Sequence, residues 1–145
     1  MQERVHRKRE ALLHDRSVSF GPFIILHGCR TEDERLYSVE LESALALGAI
    51  SKLHYALSRS ASQPKRYVQD LILPAEGEDL APEEGIAAGL RDALKHPKAC
   101  LYICGDINMA GGVEESFKRL IGSAAVKALR EDGRYREEIF GSKAH

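Results

Sequence analysis

Apolar positions along this chain repeat with a period near 3.6 residues in some stretches and near 2 in others. The switches between the two periods predict its elements. Met1 to about Asp15 reads as helix, with Met1, Val5, Lys8 and Leu12 on one stripe. It has no capping residue and no lead-in, so it reads as a helix entered in its middle. Ser17 to Pro22 reads as a loop, and Phe23 to His27 as a buried-type strand closed by Gly28. Leu36 to Leu47 is an amphipathic helix with Tyr37, Leu41 and Leu45 on one face and Gly48 as its C′ residue. Lys52 to Ser58 alternates, placing Leu53, Tyr55 and Leu57 together. A polar loop, Arg59 to Pro64, leads to a short helix over Tyr67 to Leu71. The Pro-, Gly- and acid-rich segment 73–85 reads as a surface insertion. Beyond it come helix Ile86 to Leu94, strand Ala99 to Cys104, helix Asn108 to Ile121, helix Ala124 to Arg130, and a final strand Tyr135 to Phe140.

Strands separated by helices imply parallel pairing through crossovers. Four such strands behind an orphan helix predict an α/β fold: a doubly wound parallel sheet that lacks its first strand. Losing a central strand would bare sheet edges, so the chain alone is expected to be marginal or aggregation-prone.

Composition narrows the function classes. The 145 residues make one domain of ordinary size, and 43% apolar with 30% charged residues describes a globular chain rather than a disordered one. A net charge of −1 supplies no global field toward nucleic acid or an anionic membrane. Apolar runs such as Pro22 to Leu26 are too short to span a bilayer, and the charged N-terminus does not read as a secretory signal. A cytoplasmic compartment is expected, with any membrane anchor of a parent protein lying in a segment upstream. Cys29, Cys100 and Cys104 are then reduced thiols. Four residues of strand separate Cys100 from Cys104 by about 13 Å, which excludes both a disulfide and a shared metal. The six histidines show no metal-ligand spacing, and no P-loop, nucleophile elbow or GxGxxG occurs.

The candidate chemistry sits at strand ends, where open α/β sheets bind their ligands. Cys100-Leu-Tyr-Ile-Cys-Gly-Asp106 delivers a thiol and a carboxylate to that edge. Cys104 reads equally as a small buried residue, Gly105 as a tight turn, and Asp106 as the cap of the following helix. Ser58 and Arg59, with Lys65, Arg66, Tyr67 and Gln69, gather a hydroxyl, cations, an aromatic ring and an amide. Such a set suits a phosphate bound bidentately beside a stacked purine, but three cations in a loop also describe a solvated face. Arg30, after Gly28-Cys29, could meet a phosphate or an adenine face, or pair with an acid in Glu32-Asp33-Glu34.

Taken in order, Gly28-Cys-Arg30, Leu36-Tyr37, Ser58-Arg59, Lys65-Arg-Tyr-Val-Gln69, Tyr102-Ile-Cys-Gly-Asp106 and Gly133-Arg-Tyr135 to Phe140 resemble the NADPH-binding module of the ferredoxin–NADP reductase superfamily. The diflavin reductases are the most similar: NADPH–haemoprotein reductase, sulfite reductase flavoprotein and nitric oxide synthase. Tyr67-Val-Gln-Asp70 and Tyr135-Arg-Glu-Glu-Ile-Phe-Gly141 resemble the nitric oxide synthase version. The resemblance implies that Ser58, Arg59, Lys65 and Tyr67 hold the 2′-phosphoadenosine, with Gln69 beside them and Arg30 in reach. It implies further that Cys104 lies against the nicotinamide, with Gly105 and Asp106 lining the pocket. Glu138 stands where the family usually has Asp, a carboxylate near hydride transfer, and Phe140 matches the aromatic that covers the flavin. The extra methylene of Glu138 would displace its carboxylate by roughly 1 Å, enough to alter rate.

The chemistry so implied is hydride transfer from NADPH to FAD, with FMN in some parents and the FAD domain as partner. The family's Gly-Thr-Gly turn and its FAD-binding barrel have no counterpart here. The expectation is therefore of an N-terminally truncated module over residues 1–145 that is inactive until joined to its FAD domain. Two alternatives stand beside it. One is a non-catalytic fragment that binds only the adenosine end of NADP, the other an α/β protein-interaction domain.

Overall fold

A computed structural model describes residues 1–13, 20–73 and 86–141. The helix expected to reach Asp15 is described only to Leu13, and all of the expected insertion but Leu73 lies outside the described residues. The chain divides into two compact units, 1–65 and 66–145.

The first unit contains α1 (Gln2–Leu13), β1 (Ile24–Cys29), a 3-10 turn at Glu32–Glu34, α2 (Ser38–Ala46) and β2 (Lys52–Leu57). β1 and β2 pair in parallel with Ile25 opposite Leu53, His27 opposite Tyr55 and Cys29 opposite Leu57. The face so defined packs Ile25 and Leu53 with Val5 and Phe23 onto Leu41, Ala44, Ala49 and Ile50. Gly48, at φ +70°, takes the left-handed conformation that ends α2, as expected of a C′ glycine. One expectation fails here. Tyr37 precedes the helix at φ +55° and is 71% exposed, and Leu45 is 38% exposed, so the buried stripe runs through Leu41 and Ala44 instead.

The second unit contains α3 (Val68–Ile72), α4 (Ile86–Leu94), β3 (Leu101–Asp106), α5 (Ile107–Ile121), α6 (Ser123–Glu131) and β4 (Tyr135–Phe140). Gly122, at φ +93°, ends α5 and opens α6 in a single residue, a conformation that favours glycine. Buried Val113, Phe117 and Leu120 of α5 and Val126 and Leu129 of α6 form the core with Ile103 and Tyr135 of the strands.

The α/β class with parallel strands is borne out, but the strands form two two-stranded sheets, β1-β2 and β3-β4, rather than one sheet of four.

Candidate functional site

Period-2 alternation on β3 and β4 separates an inner face from an outer one. Inward, Ile103 and Tyr135 are buried against α5 and α6. Outward point Tyr102, Cys104 and Asp106 of β3 with Arg136, Glu138 and Phe140 of β4. All six are exposed. The parallel register sets Cys104 directly opposite Glu138 and Asp106 opposite Phe140. Neighbouring strands lie about 4.8 Å apart, so the thiol and carboxylate of the first pair, and the carboxylate and ring of the second, are same-face neighbours. Residues 34 positions apart in sequence thus form one patch at the C-terminal ends of both strands.

Local chemistry fixes parts of the patch. Oδ1 of Asp106 accepts from the backbone N–H of Asn108 at 2.8 Å and of Met109 at 2.9 Å, capping α5. The capping alternative for Asp106 is therefore correct, and the cap leaves its side chain on the outer face. Gly105 lies against Met109, whose terminal methyl occupies the space where a Cβ at position 105 would project. Cys104 is a free, exposed thiol, which excludes its alternative as a small buried residue. Phe140 is 64% exposed. Arg136, which the sequence reading passed over, lies on the same outer face. Its guanidinium lies 5.6 Å from the Tyr102 ring centroid and donates to the Tyr102 hydroxyl at 3.1 Å. The alternation of the final strand, which puts Arg136 in step with Glu138 and Phe140, was the signal that could have found it.

Behind the patch the inner face carries a polar network. Arg130 of α6 lies 4.1 Å from the Tyr135 ring centroid and pairs with Glu114 of α5 at 2.8 Å and Glu137 of β4 at 3.1 Å. Burial drives the Tyr135 hydroxyl far above the ordinary tyrosine range, and the charge of Glu137 adds to the shift. Burial would raise the Glu114 carboxyl, but hydrogen bonds from Lys118 and Arg130 hold it below its ordinary value. One cation thus joins β4 to both helices.

In the first unit, Ser58 and Arg59 follow directly on β2. Arg59 is exposed, and no partner engages its guanidinium among the described residues. Arg30 pairs with Glu34 at 2.8 Å, the ion-pair alternative of the sequence reading. Arg35 lies 4.5 Å from the Tyr55 ring centroid of β2, bracing the loop after β1. Lys65 ends this unit and is exposed.

Tyr67 and Gln69 belong to the second unit. Tyr67 is 46% exposed at the start of α3, where its N–H donates to Asp70 Oδ2 at 2.7 Å. Gln69 is half-buried, and its amide lies against α5 where a Cβ on Gly112 would come within 3.0 Å of Nε2. Its carbonyl accepts from Ser116 Oγ at 3.3 Å. The site residues are thus brought together in two groups, Arg30, Ser58 and Arg59 in one unit and Cys104, Gly105, Asp106, Glu138 and Phe140 in the other. Among the described residues, no group of three or more His, Cys, Asp or Glu could hold a metal ion, and no helix is long and apolar enough to cross a membrane.

Comparison with known proteins gives the family of the chain. The family model of the oxidoreductase NAD-binding domain matches residues 3–115. Nitric oxide synthase of Lymnaea stagnalis is 33% identical over 130 residues, covering 85% of this chain and 10% of that protein. A nitric oxide synthase-like protein of Bombyx mori is 32% identical over 146 residues, covering 94% of this chain and 12% of its own length. The inducible nitric oxide synthase of Sus scrofa is 30% identical over 152 residues, covering 97% of this chain and 12% of its own. The chain therefore spans about a tenth of the length of these relatives.

Proposed function

Because the chain belongs to the oxidoreductase NAD-binding domain family and is an NADPH-binding module of the diflavin reductase type, we propose that it presents NADPH for hydride transfer to a flavin held by another domain of a larger reductase. Ser58, Arg59 and Lys65 hold the 2′-phosphate, and Tyr67 stacks on the adenine with Gln69 beside it. Arg30 reaches the phosphates when its surface pair with Glu34 opens. Cys104 and Glu138 face the nicotinamide, Gly105 and Asp106 line its pocket, and Phe140 covers the flavin. The flavin is FAD, with FMN as the next carrier in the larger protein, which works in the cytoplasm or on a membrane's cytoplasmic side. When bound, NADPH supplies a hydride from nicotinamide C4 to flavin N5.

The residues of this chain contribute placement and charge. The observation that carries the reading is the register that sets Cys104 beside Glu138 and Asp106 beside Phe140 on an exposed face. A soft thiol and a carboxylate aimed at a planar ring favour the positive charge that grows on nicotinamide as hydride leaves. The exposed Phe140 side chain offers a flat apolar surface of the kind a flavin ring stacks on. At the other end, Arg59 is a cation suited to a phosphate by fork geometry.

Titration calorimetry of this chain with 2′,5′-ADP tests the reading. Binding is expected, and Arg59→Ala should weaken it roughly tenfold or more, the loss of one charge-assisted phosphate contact. In the parent enzyme the same variant should raise the KM for NADPH far more than that for NADH. No heat at millimolar ligand, or an Arg59→Ala chain that binds like the wild type, overturns the assignment.

A further inference from the structure

The loop that carries Ser58 and Arg59 is not held by β2 alone. Backbone pairing with the loop after β1 continues past the strand, with Ser58 N–H donating to Cys29 O at 3.1 Å and Arg59 N–H to Arg30 O at 2.7 Å. There the main-chain contacts give way to a side chain. Oε1 of Glu32 accepts from Ser60 Oγ at 2.6 Å and from Ser62 Oγ at 3.3 Å. Ser60 Oγ in turn accepts from the backbone N–H groups of Ser62 and Gln63, both at 3.2 Å. A single carboxylate oxygen thus gathers the turn over residues 60–63.

Glu32 is itself well braced. It opens the 3-10 turn Glu32–Glu34, with Arg35 next to that turn stacked over Tyr55 and Arg30 tied to Glu34. The Ser60 hydrogen bond, and then Glu32's own backbone N–H, hold its carboxyl below the ordinary carboxylate range, so it remains a charged acceptor. A negative charge in a loop that is to bind a phosphate dianion costs affinity through repulsion. It has to return something that outweighs this cost.

We propose that Glu32 is a positioning residue for 2′-phosphate recognition: by fastening Ser60 and Ser62 it fixes the turn that directly follows Ser58 and Arg59, and with it the place from which these two reach the ligand. This rests on the reading that Ser58 and Arg59 contact the 2′-phosphate. Repulsion and positioning predict opposite signs. If Glu32 only repels, removing its charge tightens binding; if it positions, removing its acceptor weakens binding.

The test compares wild type, Glu32→Ala, Glu32→Gln, Ser60→Ala, the Glu32→Ala/Ser60→Ala double variant and Arg59→Ala in the full 145-residue chain. Each is titrated with 2′,5′-ADP and with 5′-AMP, which lacks the 2′-phosphate, and each is melted to confirm that the fold persists. Glu32→Ala should lose about fivefold in affinity for 2′,5′-ADP, the loss of one hydrogen-bonded tether, and nothing for 5′-AMP. Glu32→Gln keeps an oxygen acceptor and should stay within about twofold of wild type. Ser60→Ala should match Glu32→Ala, and the double variant should be no weaker than either, because both break one link. Unchanged or tighter binding of 2′,5′-ADP by Glu32→Ala, with Arg59→Ala still weakened, overturns the role of Glu32 and leaves the reading standing. Equal losses for both ligands make Glu32 a general support of the loop and also overturn it. An inert Arg59→Ala sinks the reading, and the proposal with it.

Discussion

Replacing Arg130 by alanine tests whether the inner network holds β4 in place. The side chain is 38% exposed, and its partners Glu114 and Glu137 are 26% and 20% exposed. Three contributions are lost. The stack over Tyr135, with the cation 4.1 Å from the ring centroid, is of order 0.5–1 kcal/mol. Two ion pairs that water partly reaches contribute about 0.5–1 kcal/mol each after screening. Glu114 keeps Lys118 at 3.2 Å, whereas Glu137 loses the cation that offsets its partial burial. The sum is roughly 2 kcal/mol, or a fall in melting temperature of about 6 °C for a domain of this size.

The pH dependence identifies which contribution is at work. Glu114 has its carboxyl held below its ordinary 4.5. A depressed carboxyl stabilises the fold above its unfolded value, and that stability is lost as pH falls through the folded value. Acidification below about pH 4.5 therefore removes the Glu114–Arg130 share from the wild type, while in Arg130→Ala only the Glu114–Lys118 pair remains to be lost. Urea unfolding followed by circular dichroism should show a gap of roughly 2 kcal/mol at pH 7 that narrows at an acid pH where Glu114 is protonated in the folded chain. The stacking share, which needs only the guanidinium, persists. A gap of the same size at both pH values refutes the ion-pair argument, and no gap at pH 7 refutes the network.

Two further perturbations probe the outer face. Asp106→Ala removes the acceptor for Asn108 and Met109 N–H and should cost about 1 kcal/mol of stability, read as a shift in the urea midpoint at constant slope; an unshifted midpoint would mean that other groups cap α5. In the parent enzyme Cys104→Ala should slow flavin reduction in stopped flow by ten- to a hundredfold, roughly 1.4–2.8 kcal/mol of transition-state stabilisation, with NADPH affinity within about twofold; an equal loss in affinity would make the thiol a binding contact only.

Local periodicity carried most of the fold. The helix Ile86–Leu94 and the strand Tyr135–Phe140 fall where the pattern puts them, because one-sided burial leaves its period in the sequence. Boundaries went wrong where pairing overrode local signals. Gly28 and Gly105 read as strand stops, yet β1 runs on to Cys29 and β3 to Asp106, since the partner strand satisfies their backbone groups. The outer face of β3 and β4 was legible because alternation reports it directly. Two features were not legible. The Arg130 network links positions 114, 130 and 137, and the Glu32–Ser60 bond spans 28 residues. Neither has a period, and each exists only once loops and helices are placed.

The candidate residues differ in what it costs to recruit them for a ligand, and that difference ranks their roles. Asp106 already spends Oδ1 on two backbone N–H groups, so its carboxylate is fixed in place before any ligand arrives. Capping is then compatible with the proposed pocket lining rather than a rival to it. Arg30 is bound to Glu34, but the pair is 61% and 43% exposed and opens at small cost, so a phosphate can compete for it. Gln69 stands at the other extreme. Its amide fills the space over Gly112 and its carbonyl takes the Ser116 hydroxyl, so moving it toward a ligand would disturb the contact between α3 and α5. Arg59 and Cys104 are exposed, with no such commitments among the described residues. The greatest share of coenzyme discrimination and of hydride-transfer rate should therefore fall on these two, with Arg30 secondary and Gln69 acting through packing.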